Sequence, residues 1–254
     1  ENEMPFDDVK KFSNAAVAKA STLRDHPGKY FIRAMMAGFF IAVAMIYSNV
    51  VNSLFADTSA AWGKFLGGLV FSIAVLLIVF IGSELFTGNN LVMAFGAYDH
   101  AVTWGQTVKV WIVSYIGNFV GCFLFAGIWV LAGGSGTKEF FAGMIDGKLS
   151  IAPGEMFFRA VLCNFFVCLA VACGTKCKEE AAKFLMIVIC ISGFVIAGFE
   201  HCIANMALFT AVGFMVPGVS ISSMLFSMLI VTLGNMVGGA VLLALPLRKM
   251  SADK

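Results

Sequence analysis

Two stretches of this chain are too apolar to be exposed to water and too long to cross a membrane once. Residues 65–98 carry a single charged side chain, Glu84, and residues 184–216 carry only Glu200 and His201. Each stretch exceeds 30 residues. As one continuous helix either would run to about 50 Å, against a hydrocarbon core of about 30 Å. Near the middle of each lie residues that disfavour helix: Gly82, Gly88, Asn89 and Asn90 in one, Gly193, Gly198 and Asn205 in the other. The pattern predicts two broken helices, each a pair of half-helices joined by irregular backbone. Such backbone is tolerated at membrane depth only inside protein or beside a cavity.

Four further charge-free runs lie within residues 33–57, 110–137, 160–175 and 221–245. A span needs about 20 apolar residues, so the chain reads as six spans, all-α and polytopic. Composition agrees, with 60% hydrophobic and 13% charged residues, where a soluble domain carries about 25% charged. A net charge of +2 gives no electrostatic case for nucleic acid. The 26 glycines and 26 phenylalanines suit close helix packing with bulky apolar filling. Most of the seven cysteines fall in apolar runs, and all seven read as reduced packing residues. Neither a metal site nor a cofactor is expected, and nothing in the motifs suggests an enzyme.

The chain divides into an amphipathic N-terminal helix (residues 1–29), a six-span channel domain (30–248) and a short tail (249–254). The first segment has acids early, Asp7 and Asp8, and bases later, Lys10, Lys11 and Lys19, the polarity a helix dipole favours. Phe6, Val9, Phe12, Val17 and Ala20 offer one apolar face. That face fits a helix lying in the membrane interface, or one packed as a cap under the bundle. No early apolar core marks a signal peptide. With both termini on one side, thirteen Lys and Arg fall on that side. Four, Lys64, Lys138, Lys148 and Arg159, fall on the other. By the positive-inside rule the termini are expected in the cytoplasm.

The two halves resemble each other. Ile32-Arg33-Ala34 pairs with Phe158-Arg159-Ala160, Gly82-Ser83-Glu84 with Gly198-Phe199-Glu200, and Gly117-Asn118-Phe119-Val120-Gly121 with Gly234-Asn235-Met236-Val237-Gly238. The order is the same in both. Three spans per half require the second half (about 156–248) to be inserted upside down relative to the first (about 30–132). Inverted repeats with paired broken helices place the substrate path at the repeat interface.

Chemistry at the breaks follows from helix ends. Half-helix N-termini carry partial positive charge and free N–H groups, which suits an anion. Thr87 adds a hydroxyl and His201 an imidazole able to exchange a proton near neutral pH. Each has a plainer reading, Thr87 as a helix cap and His201 as a buried structural residue. No Lys or Arg lies within a break to trap the anion, which favours passage over tight binding. Glu84 and Glu200 are expected to be structural, accepting hydrogen bonds from freed backbone N–H groups, with Asn205 and Asn235 as supporting amides. Asn118 and Asn164 are further mid-span amides suited to interhelical hydrogen bonds. Lys148 and Arg159 are either anion-attracting or merely exposed.

These same segments resemble the signatures of the formate/nitrite transporter family. They are Glu84-Leu85-Phe86-Thr87-Gly88-Asn89, Gly193-Phe194, Gly198 through Met206, Cys163 through Ala170, and Gly234 through Gly239. The likeness extends from about residue 5 to 250 and, within the family, looks most like the bacterial hydrosulfide channel, with formate and nitrite channels as sisters. It implies an aquaporin-like protomer, a homopentamer with one pore per protomer, and residence in a bacterial inner membrane. It also implies Thr87 and His201 in a central chamber, Asn164 lining the pore and Lys148 at the outer mouth. Leu85, Phe86 and Val167 would form one constriction, and Phe71, Val167 and Phe194 the other.

The expected function is therefore a channel for hydrosulfide, formate or nitrite, with proton-coupled transport of formate or nitrite as the alternative. A neutral-solute pore of aquaporin type is disfavoured because neither break carries Asn-Pro-Ala. A haem-bearing redox subunit is disfavoured because only one His lies in an apolar run.

Overall fold

The structure, a computed structural model, describes residues 6–251. The ends of the expected N-terminal helix and tail, residues 1–5 and 252–254, lie outside the described residues, as do the side chains of Phe6 and Asp7. The elements are α1 Phe6–Asp25, α2 Pro27–Leu54, α3 Ala60–Gly82, α4 Phe86–Tyr98, α5 Trp104–Leu131, α6 Lys138–Leu149, α7 Pro153–Lys176, α8 Glu180–Ala197, α9 Cys202–Met215 and α10 Ile221–Lys249. Six of them, α2, α3, α5, α7, α8 and α10, are long and apolar enough to cross a membrane.

Helix starts are written into the sequence. Pro27 and Pro153 open α2 and α7, where a missing N–H costs nothing. Thr103 and Gln106 form a reciprocal capping box on α5, and Ser59 and Ser220 cap α3 and α10.

Both long apolar stretches are broken. Gly82 and Gly198 adopt positive φ, +88° and +77°, a conformation open to glycine at little cost. Each turns the chain out of the preceding helix. Ser83 N–H then returns to Ile78 C=O at 3.1 Å, and Phe199 N–H to Phe194 C=O at 3.0 Å. The half-helices α4 and α9 follow.

The halves match in packing as well as in motif. In the first, α2 packs along α5; in the second, α7 packs along α10. Gly117 abuts Ala34 and Gly121 abuts the Met35 carbonyl, while Gly234 abuts Ala160 and Gly238 abuts the Val161 carbonyl. At all four a Cβ would collide, so these glycines permit the close helix approach that membrane packing relies on.

Three features differ from expectation. Residues 27–29 belong to the first span, not to the N-terminal helix. Of the two placements open to it, the apolar face of α1 takes the one packed under the bundle, with Val9, Phe12 and Ala16 buried and Phe12 packed against Phe95 of α4 at 5.0 Å. It does not lie flat in the interface, and Val17, expected on that face, is exposed. On the opposite face of the molecule α6, an element absent from the sequence reading, lies against α9 and α10. Each repeat is thus a short helix followed by three spans, α1–α5 and α6–α10.

Candidate functional site

The irregular segments between α3 and α4 and between α8 and α9 are held by one hydrogen-bond device used twice. Asn118 Oδ1 accepts from Phe86 N–H at 2.9 Å, and its Nδ2 donates to the carbonyls of Ala34 and Glu84 at 2.8 and 2.9 Å. Asn235 Oδ1 accepts from Cys202 N–H at 2.8 Å, and its Nδ2 donates to the carbonyls of Ala160 and Glu200 at 2.8 and 2.9 Å. Both amides are fully buried. Glu84 N–H meets Arg33 C=O at 3.1 Å, and Glu200 N–H meets Arg159 C=O at 3.4 Å.

The carboxylates of Glu84 and Glu200 do not receive the freed backbone N–H groups, as the sequence suggested; the two asparagines do. Glu84 instead accepts from Lys19 Nζ at 2.6 Å, Tyr30 Oη at 3.0 Å and Asn89 Nδ2 at 3.2 Å, with Arg33 at 3.4 Å. Glu200 accepts from Lys148 Nζ at 2.8 Å on both oxygens and from Asn205 Nδ2 at 2.8 Å. A lysine from the short helix of each repeat therefore neutralises the acid at each break. Lys148 is a partner of Glu200 rather than a loose charge at a mouth.

The two acids differ in how many donors they have. Removing one partner of a buried pair costs about 3 kcal/mol or more. Lys148→Ala leaves Glu200 with one side-chain donor, whereas Lys19→Ala leaves Glu84 with Tyr30, Asn89 and Arg33. Thermal unfolding in detergent is expected to show the larger drop for Lys148→Ala. Equal drops would refute this ranking.

Between the breaks, Thr87 Oγ1 and His201 Nε2 lie 3.1 Å apart, and both residues are buried. His201 is the N-cap of α9, and its Nδ1 accepts from Ala204 N–H at 3.1 Å. A nitrogen that accepts carries no proton, so neutral His201 is protonated at Nε2 and donates to Thr87. Thr87 Oγ1, accepting there, has its own proton free for another acceptor. Thr87 does not cap α4, whose N-cap, Leu85, makes no side-chain cap bond.

The Phe194 ring stacks on His201 at 5.8 Å and 21°, and Phe71 meets Phe194 edge-on at 5.8 Å. These rings and His201 border a vestibule of about 440 Å³ on the α6 side, lined also by Ser48, Asn49, Lys64, Lys148, Arg159 and Glu200. Leu85 and Phe86, which precede Thr87 in the chain, are buried, Phe86 packing edge-on to Tyr115 at 4.9 Å. Val167, on α7, is buried too.

Asn164, expected to line a pore, does not border the vestibule. Its Nδ2 donates to Asn235 C=O at 2.7 Å, Asn90 Oδ1 at 3.0 Å and Thr87 C=O at 3.2 Å. It ties α7 to α4 and α10 and so fixes the backbone that presents Thr87.

The sequence reading missed Lys19, Tyr30 and Trp111, whose Nε1 donates to Asn89 C=O at 2.9 Å. It also underrated Asn118, although the repeated Gly-Asn-x-Val-Gly segment pointed to it. Among the described residues no group of three or more His, Cys, Asp or Glu could hold a metal ion.

A family model described as formate/nitrite transporter matches residues 7–248. The formate channel FocA of Haemophilus influenzae is 32% identical over 93% of this chain and 90% of its own length. The nitrite transporter NirC of Escherichia coli K12 is 30% identical over 94% and 90%. Among solved structures, an FNT family ion channel superposes with a TM-score of 0.89 at 28% identity, covering 94% of this chain and 97% of its own. A pentameric formate channel with formate bound superposes at 0.75, also with 28% identity, covering 85% and 94%.

Proposed function

The chain belongs to the formate/nitrite transporter family, and on that premise we propose that it conducts small monovalent weak-acid anions, hydrosulfide first, with formate and nitrite beside it. The observation that carries this reading is the Thr87–His201 pair, set between two half-helix N-termini and roofed by Phe194 and Phe71. Aromatic walls strip water from a passing ion. The hydroxyl proton left free on Thr87 then meets its charge, and the N-terminal ends of α4 and α9 favour negative charge on the way.

The free backbone donors first expected at the breaks are fewer than two bare helix ends would give. Phe86, Cys202 and Ala204 N–H groups are already held by Asn118, Asn235 and His201. Side-chain donors therefore do more of the work, which favours ions that need few contacts. Hydrosulfide has a single heavy atom and needs the least widening between Thr87 and His201. Leu85, Phe86 and Val167 form the opposing apolar constriction in this reading.

The α1 face is cytoplasmic, by the distribution of Lys and Arg, and the α6 vestibule opens outside. The membrane is a bacterial inner membrane. The likeness to a pentameric channel supports a homopentamer. Broad apolar exposure along α5 (Ile112, Ile116, Phe119) and α10 (Leu225, Leu229, Leu233) provides surface for neighbouring copies and lipid.

Stopped-flow measurements on proteoliposomes, comparing the three anions from pH 5 to 8, are expected to give flux for all three with hydrosulfide fastest. Water flux without anion flux would overturn the reading. The Nε2–H of His201 also keeps proton-coupled transport in play; uptake driven by an imposed proton gradient alone identifies it.

A further inference from the structure

Three cations and one carboxylate line the α6 vestibule: Lys64, Lys148, Arg159 and Glu200. Their charges are not equally available. Lys148 sits 2.8 Å from both oxygens of Glu200, and at a distance this pair presents a dipole rather than a net charge. Arg159 donates to the Glu155 carboxylate and to Gly198 C=O at 3.3 Å. Among the described residues Lys64 has neither a hydrogen bond nor an ion pair. It is exposed, early in α3.

Its position is specific. Lys64 Nζ lies 3.8 Å from where a Cβ on Gly198 would stand. Gly198 is the positive-φ residue that opens the second break, two positions before Glu200 and three before His201. The lining residues on α2, Ser48, Asn49 and Asn52, are polar and uncharged. The unneutralised charge of the vestibule therefore stands beside Gly198 at the break, in the cavity that Phe194 and His201 also line.

We infer that Lys64 is the anion collector of this vestibule, raising the local anion concentration ahead of the Phe71–Phe194 constriction, while Lys148 serves to brace Glu200. This rests on the anion-channel reading above. The sequence offers Lys148 and Arg159 as the anion-attracting charges, and only the structure reveals which cations are neutralised.

The signature is a dependence on ionic strength. Across a separation of about 7 Å in water, one unit charge changes local anion occupancy about threefold. The effect survives at 0.01 M salt, where the screening length is about 30 Å, and disappears at 1 M, where it is about 3 Å. Initial influx of formate, nitrite and hydrosulfide would be measured in proteoliposomes at both ionic strengths, with a bulky inert anion as the added salt. Lys64→Gln is expected to cut low-salt influx about threefold, and Lys64→Glu, with twice the charge change, about ninefold. Both should match wild type at high salt, and Lys64→Arg should match it throughout. Thermal stability of Lys64→Gln should be unchanged, since no bond is lost. Wild-type influx by Lys64→Gln at low salt, or an equal loss at both ionic strengths, overturns the inference. A wild-type chain that passes none of the three anions ends the channel reading and the inference with it.

Discussion

Asn118→Ala is expected to lower the thermal unfolding midpoint in detergent by about 10 °C, and Asn235→Ala to do the same. Each asparagine closes three hydrogen bonds that nothing else nearby can close. In Asn118→Ala the Phe86 N–H, first donor of α4, loses its only acceptor. The Ala34 and Glu84 carbonyls also lose a donor. A buried, unsatisfied N–H costs about 1–3 kcal/mol, and each lost carbonyl bond about 1 kcal/mol. The sum is about 4 kcal/mol, which at about 2–4 °C per kcal/mol for a chain of this size gives the expected shift. The equality of the two variants is the sharper claim. Asn235 holds Cys202 N–H and the Ala160 and Glu200 carbonyls with the same atoms at nearly the same distances. A severe loss in one variant with a mild loss in the other would mean that the two breaks are not equivalent supports.

That equivalence marks how far the sequence could be read. The breaks, the six spans and the upside-down second half were legible, because glycine, length and apolarity act locally and leave a pattern. The meeting of Thr87 with His201 was an expectation carried by the family resemblance, since they lie 114 residues apart. What secures the breaks was misassigned, for a physical reason. An acid in an apolar run is conspicuous, so Glu84 and Glu200 looked like the groups that satisfy the freed N–H groups. An amide offers a donor and an acceptor at once, and only an amide can bridge an N–H and two carbonyls. Asn118 and Asn235 do that from a neighbouring helix. The acids are then available for lysines, and those arrive from α1 and α6, whose placement against the bundle depends on packing rather than on local pattern. Lys19 and Glu84 are 65 residues apart, and no periodicity connects them.

The remaining prediction separates support from transport at the pair itself. Thr87→Val keeps shape and removes the hydroxyl that His201 holds. Hydrogen bonds to a charged group contribute about 1.5–3 kcal/mol, so anion flux in proteoliposomes should fall about 10- to 100-fold. Stability should change by only about 1 kcal/mol. His201 needs a subtler replacement, because its Nδ1 also caps α9 through Ala204 N–H. Asparagine is a strong N-cap residue but is too short to reach Thr87 as the imidazole does. His201→Asn is therefore expected to keep the fold and to lose flux as Thr87→Val does. Since the two side chains act through one hydrogen bond, the double variant should lose far less than the product of the single losses. Multiplicative losses would mean that each residue meets the ion separately, and undiminished flux in either variant would remove the pair from the pathway. The pH profile divides the chemistry further. If His201 passes a proton to the transiting anion, the acid-side rise in wild-type flux should flatten in His201→Asn. If it persists there, the weak acid takes its proton from water in the vestibule, and His201 acts by holding the Thr87 hydroxyl in its donor orientation.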